Sequence, residues 1–204
     1  MKGLLRKDFY LLWSYCRLMP LFLLGFIIFS VFSSDGDAPF FIYYPCILSS
    51  TLPVNLLAYD DAEHWLTYCD TLPVTRRQYV CGKYIMSLIC GGTIFLLSAI
   101  AAVIRLCRNG AFCPADLTDQ LAVLATISLL SSALVMPPIF KFGAQKGRIV
   151  FIGVIGIFCG LAAILDTPDL SGLSLPIGLL PILATVIFAA SWLLSIRLYE
   201  KREI

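Results

Sequence analysis

The sequence predicts an all-α integral membrane protein with six transmembrane helices, an amphipathic helix at the N-terminus and a short cytoplasmic helix between two spans. Three observations carry this. Of 204 residues, 59% are apolar, against about 45–50% in soluble domains, and the mean hydropathy is +0.89. Only 14% are charged, where about 25% is usual. The charges also fall between long charge-free runs instead of evenly, and a soluble core of this size could not hide the excess, so the bilayer must be a second solvent.

A helix needs about 20 apolar residues to cross the hydrocarbon core, and about six runs qualify. They are Ser14–Phe32, Pro39–Ala58, Val80–Ile104, Leu121–Phe140, Ile149–Leu165 and Leu173–Ile196. Lys83 interrupts the third near its start and is expected to snorkel to the headgroups. Alternate loops then place Lys2, Arg6, Lys7, Arg76, Arg77, Lys83, Lys141, Lys146, Arg148, Arg197, Lys201 and Arg202 on one side, and Arg105 and Arg108 on the other. The positive-inside rule assigns the first side to the cytoplasm, which puts both termini there and the chain in the cell membrane. Phe29 to Ser34 lacks a small-x-small cleavage pattern, so the first run is read as a retained span. The outer loops Ser33–Ala38, Arg105–Gln120 and Asp166–Gly172 are too short to fold separately, so residues 1–204 form a single membrane domain.

The segment 1–13 reads as an interfacial amphipathic helix, with Leu4, Leu5, Leu11 and Leu12 on one face and Lys2, Arg6 and Lys7 on the other. The segment 59–78 is the sizeable cytoplasmic loop. Asp60, Asp61 and Glu63 are placed at a helix start, where the dipole favours negative charge. Trp65, Tyr68, Cys69 and Leu72 follow at helical spacing, and Pro73 ends that helix. Thr75 and Gln78 then match the S/T-x-x-E/Q capping box that opens a new one. This stretch either docks a soluble partner or anchors its aromatic rings at the headgroups. Of the eight Cys, most sit in apolar runs, where they act as small hydrophobes. Cys107 and Cys113 share a polar loop and are placed to form a disulfide if it faces an oxidising compartment.

Several function classes are disfavoured. The net charge of +2 and the scatter of Lys and Arg among helix ends argue against nucleic acid as a partner. No G-x-x-x-x-G-K-[ST], H-E-x-x-H or G-x-S-x-G occurs, and His64 is the single histidine. No cofactor or catalytic residue is therefore expected in this chain. A metal site from Asp60, Asp61, Glu63, His64 and Cys69 lacks a repeated ligand spacing and reads better as a helix surface.

The stretch from Asp61 to Ile85, DAEHWLTYCDTLPVTRRQYVCGKYI, resembles the signature loop of bacterial ABC-2 type permeases, through Trp65, Tyr68, Leu72, Pro73, Val74, Arg76, Lys83 and Tyr84. The opening MKGLLRKDFYLL and the ending SIRLYEKREI are similar to that family, more loosely. The resemblance implies an ABC-2 (type V exporter-like) fold. It implies the membrane subunit of an ATP-binding-cassette exporter, similar to minimal exporters of amphipathic peptides. A second permease copy or a related permease would complete the membrane unit. Two cytoplasmic ATPase subunits would hold ATP and Mg. Residues 1–13 would be the elbow helix and 59–78 the coupling loop, with Asp60, Asp61, Glu63, His64, Trp65, Tyr68, Leu72, Pro73, Arg76 and Arg77 coupling to the ATPase.

Two rival readings remain beside it. A stand-alone secondary transporter or channel could be lined by Ser49, Ser50, Thr51, Asn55, Thr93, Thr126, Ser131 and Ser132, although the centres of the spans lack the ionisable groups of an ion relay. An assembly factor could use small residues such as Gly156 and Gly160 for close helix packing.

Overall fold

The computed structural model describes residues 2–15, 17–32, 38–63, 65, 68, 75–108, 114–143, 149, 152–153, 156 and 177–200. Among them the chain is helical: α1 (Lys2–Tyr15), α2 (Leu18–Phe32), α3 (Ala38–Leu48), α4 (Thr51–Ala62), α5 (Arg76–Arg108), α6 (Pro114–Phe142) and α7 (Leu180–Glu200), the last preceded by a 3-10 turn at Ile177–Leu179. Four helices are long and apolar enough to cross a membrane: Phe40–Ala62, which joins α3 and α4, Arg76–Arg108, Leu117–Phe142 and Leu180–Glu200. α2 has 15 residues, roughly 22 Å at 1.5 Å per residue, against a hydrocarbon core of about 30 Å. It is too short to count alone, and α1 and α2 together make a pair bent by 69° where they meet. The expected fifth span, Ile149–Leu165, lies largely outside the described residues.

The helix ends at one side of the bundle converge. Lys7 of α1, Asp60 of α4 and Lys83 of α5 are in contact, and Arg77 of α5 pairs with Glu200 of α7 at 2.5 Å. At the far side, Arg108 donates to the Val31 carbonyl at 2.8 Å, tying the end of α5 to the end of α2. The up-and-down course expected from alternating loops therefore holds for the described helices. The α5 helix has 33 residues, about 50 Å long, and extends well beyond the hydrocarbon core.

Proline explains the irregular points. Pro53 has no N–H to give the Ser49 carbonyl, so the Leu52 N–H turns to it at 3.2 Å and the helix breaks between α3 and α4. Ser49, Ser50 and Thr51 donate to the carbonyls of Cys46, Ile47 and Leu48 at 2.6–2.8 Å, so the break exposes little backbone polarity. Pro137 likewise cannot serve the Ala133 carbonyl. The Ser191 hydroxyl of α7 donates to it instead, at 2.5 Å. Because that proton is committed, Tyr84 of α5 donates to Ser191 at 2.9 Å and receives from Ser195 at 2.7 Å. This chain of hydroxyls joins α5, α6 and α7 inside the membrane. Gly143 ends α6 at φ 82°, its N–H closing on the Ile139 carbonyl, the left-handed cap that glycine adopts without steric cost.

Two apolar clusters fill the bundle. One unites Val54, Tyr79, Tyr84, Met136, Phe140, Phe188 and Tyr199 near the converging ends. The other unites Leu23, Ile42, Leu56, Met86, Ile94 and Leu124 deeper in the span. Replacing Ser191 with Ala strips the Ala133 carbonyl and Tyr84 of a partner. The substitution is expected to cost about 1–2 kcal/mol, measured as a lowered thermal transition of the detergent-solubilised protein. Thr185→Ala, which removes an exposed hydroxyl bonded to its own helix, should leave the transition in place.

Candidate functional site

A buried four-charge cluster lies where α1, α4 and α5 meet. Lys83 is 1% exposed and Asp8 and Asp60 are each 2% exposed. The Lys83 ammonium sits 2.8 Å from Asp8 Oδ1 and 2.7 Å from Asp60 Oδ2. Lys7 donates to Asp60 Oδ1 at 2.6 Å and stands 3.8 Å from Asp8. Tyr79 donates its hydroxyl to Asp60 Oδ2 at 2.8 Å. Two cations and two anions leave the cluster neutral, and every charge has an opposite partner, the condition under which burial is tolerable. On α1, outside the four spanning helices, burial pushes the Asp8 carboxyl up from its ordinary value, and the Lys83 charge opposes this. Burial likewise pushes the Lys7 ammonium down, against its bond to Asp60.

The cluster revises several sequence expectations. Asp60 and Asp61 occupy the last turn of α4, and Glu63 is its C-cap. They do not start a helix. A carboxylate there opposes the helix dipole, and for Asp60 the two lysines supply the compensation. Asp60 is buried, so it does not face a cytoplasmic partner, whereas Glu63 is exposed and Asp61 half-buried. Lys83 does not snorkel, because the two carboxylates of α1 and α4 meet its ammonium inside the bundle. Lys7 turns inward as well, leaving Arg6 exposed over the Tyr10 ring at 5.7 Å. Asp8 escaped notice in the sequence. Its signal was a single acid in an otherwise basic and apolar helix, KGLLRKDFYLLWSY.

Beside the cluster stands the aromatic pair of the 59–78 segment. Trp65 and Tyr68 are helical, with ring centroids 5.3 Å apart. Lys7 Nζ lies 3.9 Å from the Trp65 ring centroid, a cation–π contact that ties this segment to α1. The Trp65 Nε1–H is buried without a hydrogen bond, and Tyr68 is 55% exposed. The Thr75–Gln78 capping box forms at the start of α5: the Thr75 N–H donates to Gln78 Oε1 at 3.2 Å, and the Gln78 N–H donates to Thr75 Oγ1 at 3.3 Å. Arg77 is exposed and held by Glu200, and Arg76 is half-buried. His64, Leu72 and Pro73 lie outside the described residues.

The converging ends of this bundle are thus organised around the loop whose residues resemble a permease signature. The family model described as "ABC-2 family transporter protein" matches residues 3–200. The chain belongs to that family. It is an ABC-2 type permease, a membrane subunit and not itself the ATPase. No curated protein matches the chain.

Other expectations for this permease resolve as follows. Cys107 is exposed at the end of α5, and its expected pairing with Cys113 falls outside the described residues. Ser49, Ser50, Thr51, Thr93, Thr126 and Ser131 all donate to carbonyls one turn back in the chain. Of the Gly156–Gly160 pair, only Gly156 is described. Among the described residues no group of His, Cys, Asp and Glu could hold a metal ion.

Removing one charge from the cluster should be severe. Lys83→Met leaves two buried carboxylates facing one lysine and is expected to cost about 3–5 kcal/mol. The double variant Lys83→Met with Asp8→Asn should recover part of that loss. Thermal unfolding in detergent of the wild type, both singles and the double checks the coupling, and a loss in the double equal to the sum of the two single losses would refute it.

Proposed function

We propose that this ABC-2 permease is the transmembrane subunit of an ATP-binding-cassette exporter, moving an amphipathic or hydrophobic substrate, such as a peptide, out of the cytoplasm. Two soluble ATPase subunits drive it, and a second permease copy or related permease completes the membrane unit. ATP and Mg are held by those partners. The permease is a single domain of six spans in the cell membrane, with both termini cytoplasmic, α1 as its elbow helix and the 59–78 segment as its coupling loop.

The observation that carries this reading is the ion cluster beside that segment. A push on the loop by a closing ATPase reaches Trp65, which rests on Lys7. It also reaches Asp60, at the foot of α4, whose carboxylate holds both Lys7 of α1 and Lys83 of α5. Three helices therefore share one electrostatic joint, and a displacement of the loop cannot move one without loading the others. A buried ion cluster is stiff, because separating any pair exposes an uncompensated charge. It transmits displacement instead of absorbing it. The apolar span centres suit a substrate that needs no fixed counter-charge.

Affinity purification of the permease from its native membrane in mild detergent should recover a soluble subunit bearing Walker motifs. Recovery of the chain alone, under conditions that preserve an ABC complex of known composition, would favour a stand-alone transporter or channel. Glu63→Lys is expected to weaken ATPase association by roughly tenfold, as reversal of an interface charge does, with the thermal transition of the bundle unchanged. Unaltered association and unaltered substrate-stimulated ATP hydrolysis would count against the coupling role.

Orientation has a separate check. A membrane-impermeant thiol reagent applied to intact cells after mild reduction should label Cys107 and should spare Cys69. Labelling of Cys69 would invert the topology.

A further inference from the structure

The two faces of α1 differ in what they meet. Leu4 packs on one apolar cluster and Leu11 and Leu12 on the other, and Asp8 is buried against Lys83. The leucine face, which a free interfacial helix would lay in lipid, is therefore turned to the bundle. The opposite face carries Arg6, Phe9, Tyr10 and Trp13, all exposed, at i, i+3, i+4 and i+7. Arg6 lies over the Tyr10 ring at 5.7 Å. Asp8 is the one acid of α1, so its burial leaves this outer face cationic and aromatic, with no carboxylate. Arg17, at the bend into α2, is exposed as well.

The surface continues onto α2. Leu18 follows Arg17 and is exposed. Below it, an open groove of about 540 Å³ is lined by Leu21, Phe22, Gly25, Phe26 and Phe29 of α2 and Phe41 of α3. Leu18, Phe22, Gly25 and Phe29 share one helix face, at i, i+4, i+7 and i+11. Gly25 supplies the floor, since an added Cβ there meets nothing within 4 Å. Phe41 meets Phe29 edge-on with ring centroids 4.8 Å apart and closes the far end. From Leu21 to Phe29 the groove runs about 12 Å, near the roughly 15 Å of hydrocarbon in one leaflet. It is apolar along its length, and its mouth lies one turn from an arginine.

We infer that this surface docks an anionic phospholipid of the leaflet on the Lys83 side. Its phosphate meets Arg17, one acyl chain lies in the groove, and Arg6, Tyr10 and Trp13 rest on neighbouring anionic headgroups. Charge complementarity names the occupant. Arginine binds phosphate oxygens through its forked N–H donors, tyrosine and tryptophan settle at headgroup depth, and basic side chains beside an anionic leaflet are drawn to it. A soluble protein suits the face poorly, because its apolar part runs on into a groove at membrane depth. The inference needs only that the chain sits in a bilayer, and it does not rest on the exporter reading.

The test reconstitutes the full chain in nanodiscs of phosphatidylglycerol and phosphatidylcholine, in equal amounts and with the same acyl chains. The protein is then extracted in mild detergent, and the retained lipids are counted by mass spectrometry. Wild type is expected to retain phosphatidylglycerol about fivefold over phosphatidylcholine, the worth of one basic side chain at an anionic surface. Arg17→Gln should bring that ratio down toward one, and Arg6→Gln should lower it less. Gly25→Leu fills the groove and should reduce the lipid retained with either headgroup. Arg197→Gln removes an exposed cation at the end of α7, on the same side, and should leave both readings as in wild type. No enrichment in wild type overturns the inference, and so does an equal loss in Arg197→Gln and Arg17→Gln, since net charge alone then accounts for it. Displacement of the retained lipid by soluble glycerol phosphate also overturns it, because the site is then one for a free anion. Loss of the ATPase partner, with lipid retention unchanged, in the arginine variants does the same, because the face is then a protein contact.

Discussion

The Lys83 ammonium, shared between Asp8 and Asp60, is the constraint on which the rest of this bundle depends. It is 1% exposed at the edge of an apolar span, where a lone ammonium would be strongly unfavourable. Two carboxylates meet it, each from a different helix, and Lys7 balances the second negative charge. The positions of α1 and of the foot of α4 follow from that requirement. α1 must bring Asp8 inward and so cannot simply lie on the surface as a basic flank. α4 must end with Asp60 turned toward α5. Apolar packing around Tyr79, Tyr84 and Phe140 then covers Lys83 and its two carboxylates, which strengthens their pairing, while Lys7 keeps an edge toward water.

The hydroxyl chain deeper in the bundle solves a related problem with neutral groups. Proline in α6 releases a carbonyl, and α7 supplies the serine that satisfies it. Tyr84 stands at the junction of both arrangements: its neighbour in sequence is the buried lysine, and its hydroxyl completes the serine chain. The adjacent Lys–Tyr pair in the permease signature thus has two distinct jobs, one electrostatic at the converging ends and one packing three helices within the membrane.

Much of the architecture was legible in the sequence because it rests on local physics. Hydropathy locates the spans of α3 to α7, and the Thr75–Gln78 capping box opens α5 within a residue of its expected start, since both partners lie three positions apart. The site was less legible. An acidic run before an aromatic stripe resembles a helix start, and the local dipole argument pointed there. Tertiary charge reversed it: Lys7 and Lys83, 53 and 23 positions away in the chain, hold Asp60 at a helix end that its own backbone disfavours. Pairing of Asp8 with Lys83 spans 75 positions and leaves no periodic trace. The snorkelling rule failed for Lys83 for the same reason, because it assumes that headgroups are the nearest counter-charge.

The neutrality of the cluster also has a consequence for biosynthesis. The chain is made from the N-terminus, so Lys7, Asp8 and Asp60 enter the membrane before Lys83 exists. Until α5 arrives, those three groups sum to one net negative charge with no buried partner for it. The first half of the protein therefore cannot close on itself, and its helix ends must wait in the water-facing layer for the lysine that completes them. Only α5, through Lys83, brings the cluster to neutrality.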